Sequence, residues 1–165
     1  MPSPVANGET AFSPGLQRPW LLQMVERYGR ELSRYAGFLT GEPGSAQAAL
    51  EATFLQALDL RPGSLASGER AWLFSVCRSS CLASLRPEVE GAFAYSSAAT
   101  FYDAPTSVRR YVRELSGPEQ EVFRLAFQYG FAPPEIALVV DQEPQLVLQW
   151  LSSGVSEVRH RLFLP

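Results

Sequence analysis

Few side chains in this 165-residue chain can do chemistry, and their types narrow what that chemistry could be. All fourteen basic residues are arginines, fixed planar cations that cannot serve as a Schiff-base amine or as the lysine of a phosphate-binding loop. The single histidine, His160, stands between Arg159 and Arg161 without a paired nucleophile. There is no glycine-rich phosphate loop, and no acidic cluster has metal-ligand spacing. Cys77 and Cys81 lie four residues apart on one helix face. A metal site needs three or four ligands, and the histidine is far along the chain, so the thiols read as buried small apolar groups. Two such close cysteines are no disulfide framework either, which fits a reducing compartment. The expectation is a protein that is not an enzyme and has no cofactor and no metal.

What remains is binding, and the charge balance says with what. The net charge is −3 and the pI about 5.2, which argues against a protein held to nucleic acid by bulk positive charge. Residues 18–86 are mildly basic, with eight arginines against six acids; 109–165 carry six against seven; the stretch between them has Glu88, Glu90 and Asp103 and no arginine. With 46% hydrophobic and 19% charged residues, the chain can fill the core of one ordinary domain or of two small ones. The N-terminus has no basic residue with an apolar run behind it, and nowhere do eighteen apolar residues follow one another. The expectation is a cytoplasmic protein with no membrane span.

Helical periodicity dominates. Residues 1–19, rich in proline and glycine, read as a flexible arm. From Trp20, the positions Leu21, Met24 or Val25, Tyr28, Leu32, Tyr35 or Ala36 and Leu39 mark one face of a helix that ends at Gly41,. Ser45 can cap a second helix carrying Ala46, Leu50, Phe54, Ala57 and Leu58, stopped by Pro62-Gly63,. A third, from about Glu69, turns Trp72, Leu73, Val76, Cys77, Cys81 and Leu85 inward until Pro87,. Residues 87–106 lose the periodicity, hold the aromatics Phe93, Tyr95, Phe101 and Tyr102, expected to be exposed, and read as an interdomain linker. Residues 107–165 form a second helical unit. Within it Ser116-Gly117-Pro118-Glu119 is a capping box with proline in the first turn,. That helix buries Val122, Phe123, Ala126 and Phe127. Then Glu135-Ile136-Ala137, the turn Asp141-Gln142 and a last helix with Val147, Trp150, Leu151, Val155, Val158 and Leu162 have helix-turn-helix spacing,. The fold class is all-α: two small helical domains, 20–86 and 107–165, joined by a flexible linker.

The order of these pieces resembles the small bacterial sigma factors of the extracytoplasmic-function type, over roughly residues 20–162. Leu39-Thr40-Gly41, then Ala46 through Thr53-Phe54-Leu55-Gln56-Ala57, then Trp72-Leu73-Phe74-Ser75-Val76-Cys77-Arg78-Ser79 are similar to the family's region two. Leu115, Val122-Phe123-Arg124-Leu125, Glu135-Ile136-Ala137 and Val147 are similar to its region four. The resemblance implies a three-helix region-two-like bundle and a region-four-like helix-turn-helix domain. It also implies a transcription-initiation protein that binds core RNA polymerase and directs it to promoter DNA, with an anti-sigma factor as a further partner.

Departures fall on polar positions. Where the family offers acids and glutamines to polymerase, this chain keeps Glu51, Thr53, Gln56 and Asp59 among alanines. Where the third helix supplies an asparagine and an aspartate for DNA, Ser79 and Ala83 stand, although Arg78 and Arg86 remain. From Glu143 to Ser156 there is one acid and no base, so few phosphate contacts are available there, each being worth a salt slope of about 0.9. The expected DNA contacts are therefore Arg78, Arg86, Arg27, Arg30 and Arg34 for phosphates, with Gln145 and Gln149 reading base edges. Leu146, Leu148 and Trp150 sit where polar DNA-facing residues are expected. Leu146 and Trp150 are read as partner-facing or core, and Trp72 as core rather than a base-stacking platform. A sigma-like regulator that captures a protein without reading promoters is the alternative, because exposed apolar groups suit a protein groove better than phosphates.

Overall fold

The computed structural model describes residues 14–60, 64–65, 68–85, 93–96 and 106–163. Along the chain run α1 (Pro14–Thr40), α2 (Pro43–Ala57), α3 (Glu69–Ser84), α4 (Thr106–Val112), α5 (Gly117–Phe127), α6 (Pro133–Val140) and α7 (Pro144–Phe163). The fold is all-α, and the described residues contain no strand.

The first three helices form a bundle in which each touches the other two. The apolar stripe of α1 is buried as its spacing predicts, through Met24, Tyr28, Leu32, Leu39 and both Tyr35 and Ala36. Gly41 then takes φ +68, a left-handed conformation that ends the helix and that a side chain rarely adopts,. α1 begins at Pro14, ahead of the expected Trp20, with Pro19 inside it. Residues 1–13 lie outside the described residues. α2 starts at Pro43 with Glu42 as its N-cap, not at a Ser45 cap; Ser45 Oγ instead donates to Glu42 Oε2 at 2.9 Å. Proline's fixed φ suits the first helical position, which moves the start three residues earlier.

With α1–α3 called the first lobe and α4–α7 the second, Ser116 of the second caps α5. Its hydroxyl accepts from the Glu119 backbone N–H, and Glu119 accepts from the Ser116 N–H at 3.0 Å, the reciprocal pair that its sequence predicts,. The turn between α6 and α7 is made by Asp141 in the left-handed region, φ 52 and ψ 53. Val147 is fully buried behind it, in one cluster with Ile136 and Val140. α7 packs on α5 and α6, and more lightly on α4.

The lobes lie against each other. α3 packs along α6, and one continuous apolar cluster runs from Leu32, Leu73 and Phe74 to Leu125, Phe131, Ile136 and Val139. Phe74 has ring neighbours on both sides of the seam, Tyr35 at 5.0 Å, Tyr129 at 5.1 Å and Phe131 at 4.9 Å. The stretch expected as a linker is described only at 93–96, and there it is packed: Ala94 N–H donates to Leu39 O at 2.8 Å and Ser96 N–H to Phe38 O at 2.7 Å. These bonds satisfy carbonyls at the C-terminal end of α1. Phe93 and Tyr95, expected to be exposed, are half-buried against the core. Phe101, Tyr102, Glu88, Glu90 and Asp103 lie outside the described residues. Phe127, expected inward, is exposed, as are Val155 and Leu162.

Candidate functional site

Polar chemistry concentrates at the seam between the lobes, around Glu121. This residue sits on the buried face of α5, one turn before Leu125, and only 1% of it reaches solvent. Its two carboxylate oxygens accept from four donor atoms. Tyr35 Oη on α1 donates to Oε1 at 2.6 Å. Arg78 on α3 donates through Nε to Oε1 at 2.8 Å and through Nη2 to Oε2 at 3.3 Å. Tyr95 Oη donates to Oε2 at 3.2 Å. A buried carboxylate is tolerated only when paired and hydrogen-bonded in this way. Burial, followed by the repulsion of the neighbouring Glu121 charge, pushes the Tyr35 hydroxyl well above its ordinary range; Tyr95 is raised for the same reasons. Phe93 covers the guanidinium of Arg78 at 4.7 Å,.

Two more arginines staple the seam. Arg70 on α3 forks onto Glu31 of α1 at 3.1 and 3.2 Å and lies 4.5 Å over the ring of Phe131 from the second lobe. Arg124 of α5 is buried with its guanidinium 4.3 Å over Phe38 of α1. Gln120 ties α5 to the chain before it by donating to Leu115 O at 2.9 Å.

The residues singled out from sequence are dispersed by the fold. Arg27, Arg30 and Arg34 stay on the exposed side of α1, with Arg27 beside the Tyr28 ring. Arg78, expected to hold phosphate, is here the partner of Glu121, because the seam brings an acid to it that no local pattern places there. Arg86 lies outside the described residues. Gln145 and Gln149 are exposed near the start of α7, together with Leu148. Leu146 and Trp150 are half-buried, and Trp150 packs against the core. Glu51, Gln56 and Asp59 are exposed. Thr53, offered as a polymerase contact, is fully buried and donates to Ala49 O at 2.7 Å; a threonine hydroxyl that bonds the preceding turn can sit in a core, so it is a structural residue. Trp72 is half-buried against the core.

Cys77 and Cys81 are buried free thiols. The hydrogen bond to Cys77, then burial, raises the Cys81 thiol far above its ordinary range, which leaves it unreactive. Among the described residues no three His, Cys, Asp or Glu side chains form a metal-sized group, and no helix is long and apolar enough to cross a membrane.

Glu121, Tyr35, Tyr95 and Arg124 were not legible as a site. The one local signal was an acid on the apolar face of a helix, at i−4 from Leu125.

No protein-family model and no curated protein matches the sequence. Among solved structures, the sigma factor RpoE of Bartonella quintana, in complex with the anti-sigma factor NepR, has a similar fold. The TM-score is 0.60 at 18% identity, over 91% of this chain and 98% of that one. The chain therefore has a sigma-factor-like fold.

Proposed function

We propose that this chain is a sigma-factor-like, non-enzymatic transcription protein of the cytoplasm, a divergent relative of the extracytoplasmic-function type, that works chiefly by binding a protein partner of the anti-sigma kind. The observation that carries this reading is the pairing of Arg78 with buried Glu121. It occupies one of the cations that α3 would offer to DNA, while the start of α7 presents Gln145, Leu148 and Gln149 and no base. Electrostatic affinity for DNA scales with the number of phosphates neutralised, so this arrangement favours protein over promoter. The fold shared with a sigma factor solved in complex with its anti-sigma factor supports the same partner class.

A second reading, an initiating sigma factor, is favoured by the exposed Glu51, Gln56 and Asp59 of the first lobe and by Gln145 and Gln149 of the second. In it the first lobe binds core RNA polymerase, and Arg27, Arg30, Arg34, Arg78 and Arg86 hold promoter phosphates. Run-off transcription with purified core polymerase separates the two. Protein capture predicts no transcript from any template together with a stable complex with an anti-sigma protein; promoter-dependent transcript from even one template overturns it in favour of the second reading.

A further inference from the structure

We propose that the pocket between α4 and the end of α7 binds a small phosphate-bearing molecule, its phosphoryl group held by Arg110, Arg161 and the hydroxyl of Tyr111. The pocket measures about 190 Å³ and is lined by these three residues together with Glu114 and Leu162. It belongs to the second lobe alone, and it lies at the opposite end of α7 from Gln145 and Gln149. The observation that points to a ligand is Tyr111. Only 5% of this residue reaches solvent, and its hydroxyl oxygen is buried with no hydrogen-bond partner. The buried hydroxyls of Tyr35 and Tyr95, by contrast, both bond Glu121. A polar group withdrawn from water and left unpaired is costly, and a ligand that pairs it recovers that cost.

The lining selects the chemistry. Burial above all, then the charge of Glu157, raises the Tyr111 hydroxyl above its ordinary pKa, so at neutral pH it is a donor that calls for an acceptor. Arg161 lies 5.2 Å from the centre of the Tyr111 ring; it bonds Glu157 through Nε at 2.9 Å and Glu114 through Nη1, and neither bond uses Nη2. Arg110 is exposed and forms no ion pair among the described residues. Two cations thus line the pocket against one carboxylate, Glu114. The Glu114 side chain is 47% exposed, and a half-exposed ion pair holds it weakly enough for a stronger anion to replace it at Arg161. A phosphate monoester near neutral pH carries up to two charges and three free oxygens, which match two guanidinium groups and one hydroxyl; a carboxylate or a nucleic-acid diester offers only two oxygens and one charge. Arginine is suited to phosphate for the same reason. The site stands independently of the protein partner proposed above.

The test titrates the full chain with inorganic phosphate, chloride holding the ionic strength constant, and reads the phosphorus-31 line width of the phosphate. Saturable broadening is expected. Arg110→Gln and Tyr111→Phe should each weaken binding by about 3–10-fold, while Glu114→Gln, which removes the competing anion, should tighten it by about 3–5-fold. Damage to the fold cannot tighten binding, so Glu114→Gln decides the matter even where Tyr111→Phe loosens α4. Broadening that is absent, or that is the same in all three variants, overturns the site, and so does weaker binding by Glu114→Gln. Formate displacing phosphate at equal concentration overturns the phosphoryl assignment in favour of a carboxylate. A duplex oligonucleotide displacing it at equal phosphate concentration overturns the small-molecule assignment in favour of a DNA backbone.

Discussion

A methyl group added to Gly117 would stand 2.2 Å from Cδ2 of Tyr95, so the first turn of α5 and the aromatic ring of residues 93–96 meet with no space for a side chain between them. Gly117→Ala must push the ring aside, and with it the hydroxyl that bonds Glu121. We expect a loss of about 1–3 kcal/mol, read as a lower urea midpoint at unchanged slope. An unchanged midpoint would show that the ring swings away freely.

The same argument applies inside the second lobe, where a Cβ on Gly154 of α7 would lie 2.9 Å from Cε2 of Phe123 on α5. Gly154→Ala gains helix propensity of about 1 kcal/mol but forces the two helices apart. The clash is the larger effect, so the variant is expected to be less stable by denaturant titration; a more stable protein would contradict the close approach.

Phe74 touches rings from both lobes and is wholly buried. Phe74→Ala should cost about 3–5 kcal/mol. Because the cavity opens at the seam, the helical signal and the tryptophan fluorescence should shift together to lower denaturant. A fall confined to one probe would mean that the lobes unfold separately.

Alkali should unfold the protein. Tyr35, Tyr95 and Tyr129 are all raised above their ordinary values, burial being the largest cause in each. A tyrosine whose folded pKa exceeds its unfolded value, near 10, keeps its full contribution below pH 10. Above that the unfolded chain loses the proton first and stability falls, by up to about 1.4 kcal/mol per pH unit for each such group. Denaturant titrations between pH 8 and pH 11, expressed on a logarithmic acidity scale, should show a plateau and then a decline. Tyr35→Phe should decline less steeply; an equal slope would mean that Tyr35 does not contribute.

Much of the helical layout was readable along the chain. The heptad-like spacing of α1 named Leu32 and Leu39, and the helix-turn-helix spacing named Ile136 and Val147, all four of which are buried; the motif from Ser116 to Glu119 named the start of α5. Local periodicity suffices there because each helix must hide its own apolar stripe. It fails where a stripe faces a distant element. Phe127, Val155 and Leu162 match the periodicity and are exposed, while Tyr95, in a stretch with no periodicity, is held against Phe38 at 5.7 Å.

The sequence alone determined most of the apolar faces of the described helices, the glycine and proline punctuation between them, and the absence of a base from the first turns of α7, since propensity, capping and charge are properties of neighbouring residues. Only the tertiary structure decided that Arg78 faces Glu121, forty-three positions away, rather than solvent. The physical reason is that a buried ion pair is set by where two helices cross, and nothing in the residues beside either charge encodes that crossing.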